Sequence, residues 1–69
     1  MDDHVYKLTE IVGTSHLGTD DAIKAALARA SKSIRNIRWF EVTGTRGFID
    51  GEGVTQFQVT LKVGFTLDG

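Results

Sequence analysis

One long β-hairpin constrains this chain more than any other feature. Ile37 to Ile49 and Val54 to Phe65 are strand-like segments either side of Asp50-Gly51-Glu52-Gly53. That turn is rich in residues that tolerate positive φ. The second arm alternates cleanly. Thr55, Phe57, Val59, Leu61, Val63 and Phe65 share one face, and Gln56, Gln58, Thr60, Lys62 and Gly64 share the other. The first arm sets Phe40 and Val42 on one face and Trp39, Glu41, Thr43 and Thr45 on the opposite one. Gly44 and Gly47 allow a bulge or bend. Arms of about 12 residues run to roughly 40 Å at the usual strand rise.

Two further segments precede the hairpin. Val5 to Val12 is rich in β-branched and aromatic residues and reads as a strand. Val5 and Ile11 fall on one side, and Tyr6, Leu8 and Val12 on the other, which leaves its inward face open. Gly13-Thr14-Ser15 ends it, and His16-Leu17-Gly18 continues the turn. A helix follows from about Asp20 to Ile34, with Thr19 as the expected N-cap. Asp20 and Asp21 suit the positive end of its dipole, and Arg29, Lys32 and Arg35 the negative end. Ile23, Ala26, Leu27, Ala30 and Ile34 make one narrow apolar stripe. The order is β-α-β-β, an α+β fold in a single domain over residues 1–69. A three-stranded antiparallel sheet with one helix across it is the simplest way to bury both stripes. A helix of roughly 22 Å is too short to cover the hairpin, so the surplus strand needs another partner. The tails, Met1 to His4 and Leu67 to Gly69, are short and polar enough to fray.

Size supports the same expectation. A chain of 69 residues buries only roughly 60 % of the surface its unfolded form exposes. Small folds commonly add disulfides, a structural metal or self-association. The chain has no cysteine, so disulfides and thiolate zinc sites are excluded. Two histidines, His4 and His16, cannot build a structural metal site alone, and no metal is expected. Association with further copies remains. The net charge of −1 offers no basic excess for nucleic acid or an anionic membrane. No apolar run approaches the ~20 residues of a membrane span, and no signal-peptide pattern is present. The expectation is a soluble, cytoplasmic protein without nucleic-acid or membrane partners.

Trp39 is the residue that a plain core does not absorb. An indole outside the core usually marks a contact surface. The plainer alternative is a tryptophan buried between subunits with no ligand. If Ile49 opposes Val54, then Trp39 opposes Gly64 and Thr45 opposes Gln58. Gly64 would leave a space beside the indole for a planar group. Gln58 shares that face but lies roughly 20 Å along the strand. Its amide can read a donor-acceptor edge of a pyrimidine-like ring. If both residues serve one planar ligand, they come from different subunits.

Other polar residues have simpler explanations. His4 and His16 lack the spacing of a catalytic triad, and solvated histidines account for them. Asp20 and Asp21 diverge on a helix and fit its N-terminus better than paired acid-base chemistry. Glu41 projects beside Trp39 by parity, and an ion pair with Arg38, Arg46 or a neighbouring subunit explains it. Arg35 and Arg38 complement the helix dipole and the surface. Gly13-Thr14-Ser15 lacks the Gly-Lys pair of a phosphate loop. Gln56 shares the Gln58 face, in a ligand site or an interface. No nucleophile-base pair is visible, so no catalytic residue is assigned and an enzyme is not expected.

Several runs carry a family resemblance in order and spacing. They are Ile11-Val12-Gly13-Thr14-Ser15, Ala26-Leu27-Ala28-Arg29-Ala30, Arg38-Trp39-Phe40-Glu41-Val42, Arg46-Gly47, Phe57-Gln58-Val59 and Lys62-Val63-Gly64-Phe65. Together, from about Val5 to Leu67, the chain resembles the dodecins of the bacterial type. That resemblance implies a sheet wrapped around the helix and a hollow homododecamer of cubic symmetry. It implies flavin storage and quenching without turnover, with two isoalloxazine rings stacked between symmetry-related tryptophans. Trp39 matches that tryptophan, Gln58 the glutamine at the isoalloxazine edge, and Arg46 an arginine toward the phosphate-bearing side. FMN is the implied ligand, with riboflavin, FAD and coenzyme A as further candidates. Some relatives carry an arginine where this chain has Thr66, which leaves the choice of flavin open. The alternative is an assembly module without flavin, in which Trp39 and Gln58 serve subunit contacts alone.

Overall fold

A computed structural model describes residues 3–67. Strand β1 (Tyr6–Ser15) leads to helix α1 (Thr19–Ala30), then to β2 (Ile37–Asp50) and β3 (Gly53–Thr66). The three strands form one antiparallel sheet in the order β1-β3-β2. This is the expected β-α-β-β, α+β architecture, with the best-patterned strand at the centre.

The alternation of β3 decides the core. Val59, Leu61 and Val63 are fully buried and face the helix with Ala22 and Ala26. Ile11 of β1, Ile23 and Leu27 of the helix, Ile34 and Ile37 pack around them. Ile11 therefore marks the inward side of β1, while Tyr6, Leu8 and Val12 are exposed on the outer side.

Small residues let the helix approach closely. Ala22, Ala26 and Ala30 are its buried positions, so the alanine row is the centre of the stripe and the larger residues flank it. Ala22 lies outside the stripe that helical spacing predicts, yet it is fully buried. Gly13 completes the contact. A Cβ there would collide with the Ala22 carbonyl oxygen and the Ala26 Cβ, so only glycine permits this spacing. Gly13 lies inside β1, which runs on to Ser15 rather than ending at Val12.

The helix boundaries also differ from expectation. The helix ends at Ala30, and a tighter turn carries the chain onward through Ser33 N–H to the Ala30 carbonyl at 3.1 Å and Ile34 N–H to the same carbonyl at 2.8 Å. Asn36 then takes φ 65, a left-handed conformation that asparagine tolerates better than most residues. At the other end Gly18 occupies the N-cap and makes no side-chain cap, while Thr19 is already helical. The entry is fixed by Ser15, whose hydroxyl donates to Asp21 Oδ2 at 2.7 Å and accepts from Leu17 N–H at 2.9 Å. Of the tails expected to fray, Leu67 N–H instead donates to the Val5 carbonyl at 3.0 Å; Met1, Asp2, Asp68 and Gly69 lie outside the described residues.

The hairpin turn is tighter than four residues, since Asp50 pairs with Gly53 across Gly51 and Glu52. Gly53 takes φ 127, and the Asp50 carboxylate accepts from Glu52 N–H at 2.8 Å. Beyond the helix the hairpin stands alone. The helix packs on β1 and β3, leaving Phe40 and Val42 of β2 46 % and 42 % exposed although they pair with buried Val63 and Leu61. The protomer measures 56 × 20 × 14 Å. Its radius of gyration is 14.5 Å, against about 11 Å for a compact chain of this length. It exposes 5172 Å², against about 4300 Å² for a compact monomer of its mass.

Candidate functional site

The site residues lie on the face of the sheet that the helix does not cover. Trp39 pairs with Gly64, as the alternation predicts. The space above Gly64 is filled by the indole itself, not left for a ligand. A Cβ at residue 64 would fall inside the Trp39 ring. Glycine therefore acts as a floor on which the indole lies, with one side against the backbone and the residue still 40 % exposed.

Tyr6 holds one edge of this arrangement. It pairs with Thr66 at the end of β1, and its ring meets the Trp39 indole edge-on, with centroids 6.3 Å apart and planes at 63°. Edge-to-face packing at that separation matches the positive ring edge to the negative ring face. His4 follows at 6.3 Å from Tyr6 with an interplanar angle of 55°. The sequence gave Tyr6 a face but no partner, because β1 and β2 are neighbours only across β3.

Two bulges bring Arg46 into the group. The expected regular register would set Thr45 opposite Gln58 and turn Arg46 to the helix side. Instead the register shifts between Val42 and Gly44, so Thr43 is an extra residue and its hydroxyl donates to the Thr60 carbonyl at 3.2 Å. Arg46 now pairs with Gln58. A second shift between Phe48 and Ile49 restores Ile49 opposite Val54, with Thr55 the extra residue, donating to the Phe48 carbonyl at 3.3 Å. Paired residues of an antiparallel sheet point to the same side, so Trp39, Gln58 and Arg46 all sit on the helix-free face.

Within one protomer they form two groups. Gln58 is six residues from Gly64 along β3, roughly 20 Å at strand rise. Trp39 with Tyr6 makes an aromatic platform near one end, and half-buried Gln58 with exposed Arg46 makes a polar pair farther along. A planar ligand that contacts both needs a second copy. Glu41 lies opposite Lys62 in the β2–β3 register. Thr66, the departure from the arginine of some relatives, is half-buried beside Tyr6.

The groups that could serve other chemistry are sparse. Among the described residues no three His, Cys, Asp or Glu side chains gather as a metal site. No described helix is long and apolar enough to cross a membrane.

The same fold and length recur in known proteins. A family model described as Dodecin matches residues 5–68. The chain is 55 % identical over 64 residues to "Dodecin" of Thermus thermophilus, covering 93 % of each chain. It is 32 % identical over 63 residues to "Calcium dodecin" of Mycobacterium tuberculosis, covering 91 % of this chain and 89 % of the relative. The solved dodecin of Streptomyces davaonensis superposes with a TM-score of 0.94 at 46 % identity, covering 99 % of this chain and all of that one. With a matching family model over nearly the full length, a curated relative above half identity and the same fold, the chain belongs to the dodecin family.

Proposed function

We propose that this chain assembles into a hollow homododecamer in the cytoplasm that binds, stores and quenches flavin without turning it over. Trp39 carries the reading. Its indole lies on Gly64 with an open side, on the one face of the sheet that also holds Gln58 and Arg46. An isoalloxazine stacked on that side gains its buried area and roughly 0.5–1.5 kcal/mol of ring-ring contact. A twofold axis repeats each contact, and stacking two rings between two indoles brings Gln58 of a neighbouring copy to the ring edge. Its amide offers both a donor and an acceptor. Arg46 beside Gln58 supplies positive charge for a phosphate on the ribityl side, which favours FMN over riboflavin. FAD offers the same ring, and coenzyme A its own phosphates, as further ligands. When bound, the flavin supplies one-electron chemistry, and close indole contact gives its excited state a route to decay.

Visible absorption of the purified protein and an emission titration with FMN test this reading. The expected result is saturable quenching at one flavin per chain, lost in Trp39→Ala. A large oligomer with no flavin affinity would instead establish an assembly module. NADH-dependent turnover of bound flavin would establish an enzyme.

A further inference from the structure

The chain has one tryptophan and one tyrosine, and the fold places them in edge contact although 33 residues separate them in sequence. Their centroids are 6.3 Å apart, and His4 sits the same distance beyond Tyr6. The order His4, Tyr6, Trp39 runs from the strand edge to the open indole. Tyr6 remains 46 % exposed, so its ring is not there to fill a core. Its exposed phenol can release a proton to water.

We infer that Tyr6 is a hole acceptor for Trp39: an oxidising equivalent created on the indole passes to the Tyr6 phenol. The step balances without an added reductant. A one-electron oxidant takes an electron from the indole, and the indole Nε1–H releases its proton to water. Tyr6 then passes one electron to the indolyl ring and its phenolic proton to water, while Nε1 regains a proton. The net change is one electron and one proton lost from Tyr6, with Trp39 restored. In the assembled protein the oxidant is the photoexcited flavin of the proposed site, so this physiological arm rests on the proposed function. The electron then returns through Trp39 to the Tyr6 phenoxyl, which recovers its proton, and nothing is consumed. The relay moves the hole off the ring that touches the ligand and so protects Trp39 from irreversible oxidation.

The transfer itself is tested on flavin-free protein. Azide radical, generated by pulse radiolysis, oxidises the indole and is reduced to azide. The expected result is loss of the indolyl absorption with a matching rise of the phenoxyl absorption, at a rate independent of protein concentration. Tyr6→Phe keeps the ring and its edge contact, and its size on a column verifies the assembly; there the indolyl radical should persist at least tenfold longer. An indolyl lifetime equal in the parent and Tyr6→Phe, or a transfer rate proportional to protein concentration, would overturn the inference. A second arm illuminates the FMN complex under air and follows Trp39 oxidation by mass spectrometry. Faster loss of Trp39 in Tyr6→Phe is expected, and equal loss would remove the protective role. If FMN does not bind, the flavin reading fails while the radiolysis result still decides the relay.

Discussion

At the scale of single residues, two glycines decide where larger groups can go. Gly64 lies beneath the Trp39 indole and Gly13 beneath the Ala22 turn. Gly64→Ala should displace the indole from its platform, shifting Trp39 emission and weakening FMN binding at least tenfold, as read by the quenching titration. An unchanged spectrum and affinity would contradict the platform. Ser15 is the other single-residue hinge of the fold, bridging Leu17 N–H and Asp21 across the strand-to-helix turn. Ser15→Ala should cost about 1 kcal/mol, the usual scale for a lost helix-entry hydrogen bond, measured by denaturant unfolding. The sequence pointed to Thr19 for this role because threonine just before an acidic pair is a common cap. The actual link reaches back six residues to a strand end, a tertiary contact that local pattern does not contain. For Trp39 the parity against Phe40 and Val42 follows from alternation, and its pairing with Gly64 follows from setting Ile49 opposite Val54, because the two intervening bulges cancel.

At the scale of elements, the helix and sheet meet through alanines and one glycine. Gly13→Ala forces the helix away from β1, and overpacking of this kind costs typically 1–3 kcal/mol; the midpoint of urea unfolding measures it, and no loss would contradict the close approach. The two faces of β3 were legible because Val59, Leu61 and Val63 alternate without interruption, whereas the central place of β3 in the sheet came only with the structure. The register of the hairpin was legible only at its two ends. The bulges at Thr43 and Thr55 offset each other, so Trp39 and Ile49 keep the partners of a regular ladder while the stretch between is one residue out of step, and a further shift between Ile37 and Trp39 sets Ile37 opposite Phe65. Gly44 and Gly47 signalled that a bulge was affordable, but not its position. That single step turns Arg46 from the helix side to the Gln58 side. The resemblance to dodecins pointed to Arg46 where regular alternation could not.

At the scale of the whole molecule, the protomer is a blade rather than a globule. Its 56 Å length and excess surface leave Phe40, Val42, Phe48 and Ile49 exposed. Self-association is one way to bury them, and the dodecin family implies such assembly. In the proposed reading, a site divided over roughly 20 Å of strand closes when two copies meet. In the proposed function, flavin binding therefore belongs to the assembly and not to the chain. The most direct measurement compares FMN quenching by the assembled protein and by Val42→Asp, whose charge on the uncovered inner face should prevent assembly while leaving Trp39, Gln58 and Arg46 in place. Sizing by light scattering accompanies each titration. Saturable quenching in the assembly and its loss in the folded, dissociated variant is the expected result. A monodisperse monomer that quenches FMN with the affinity of the assembly would contradict it.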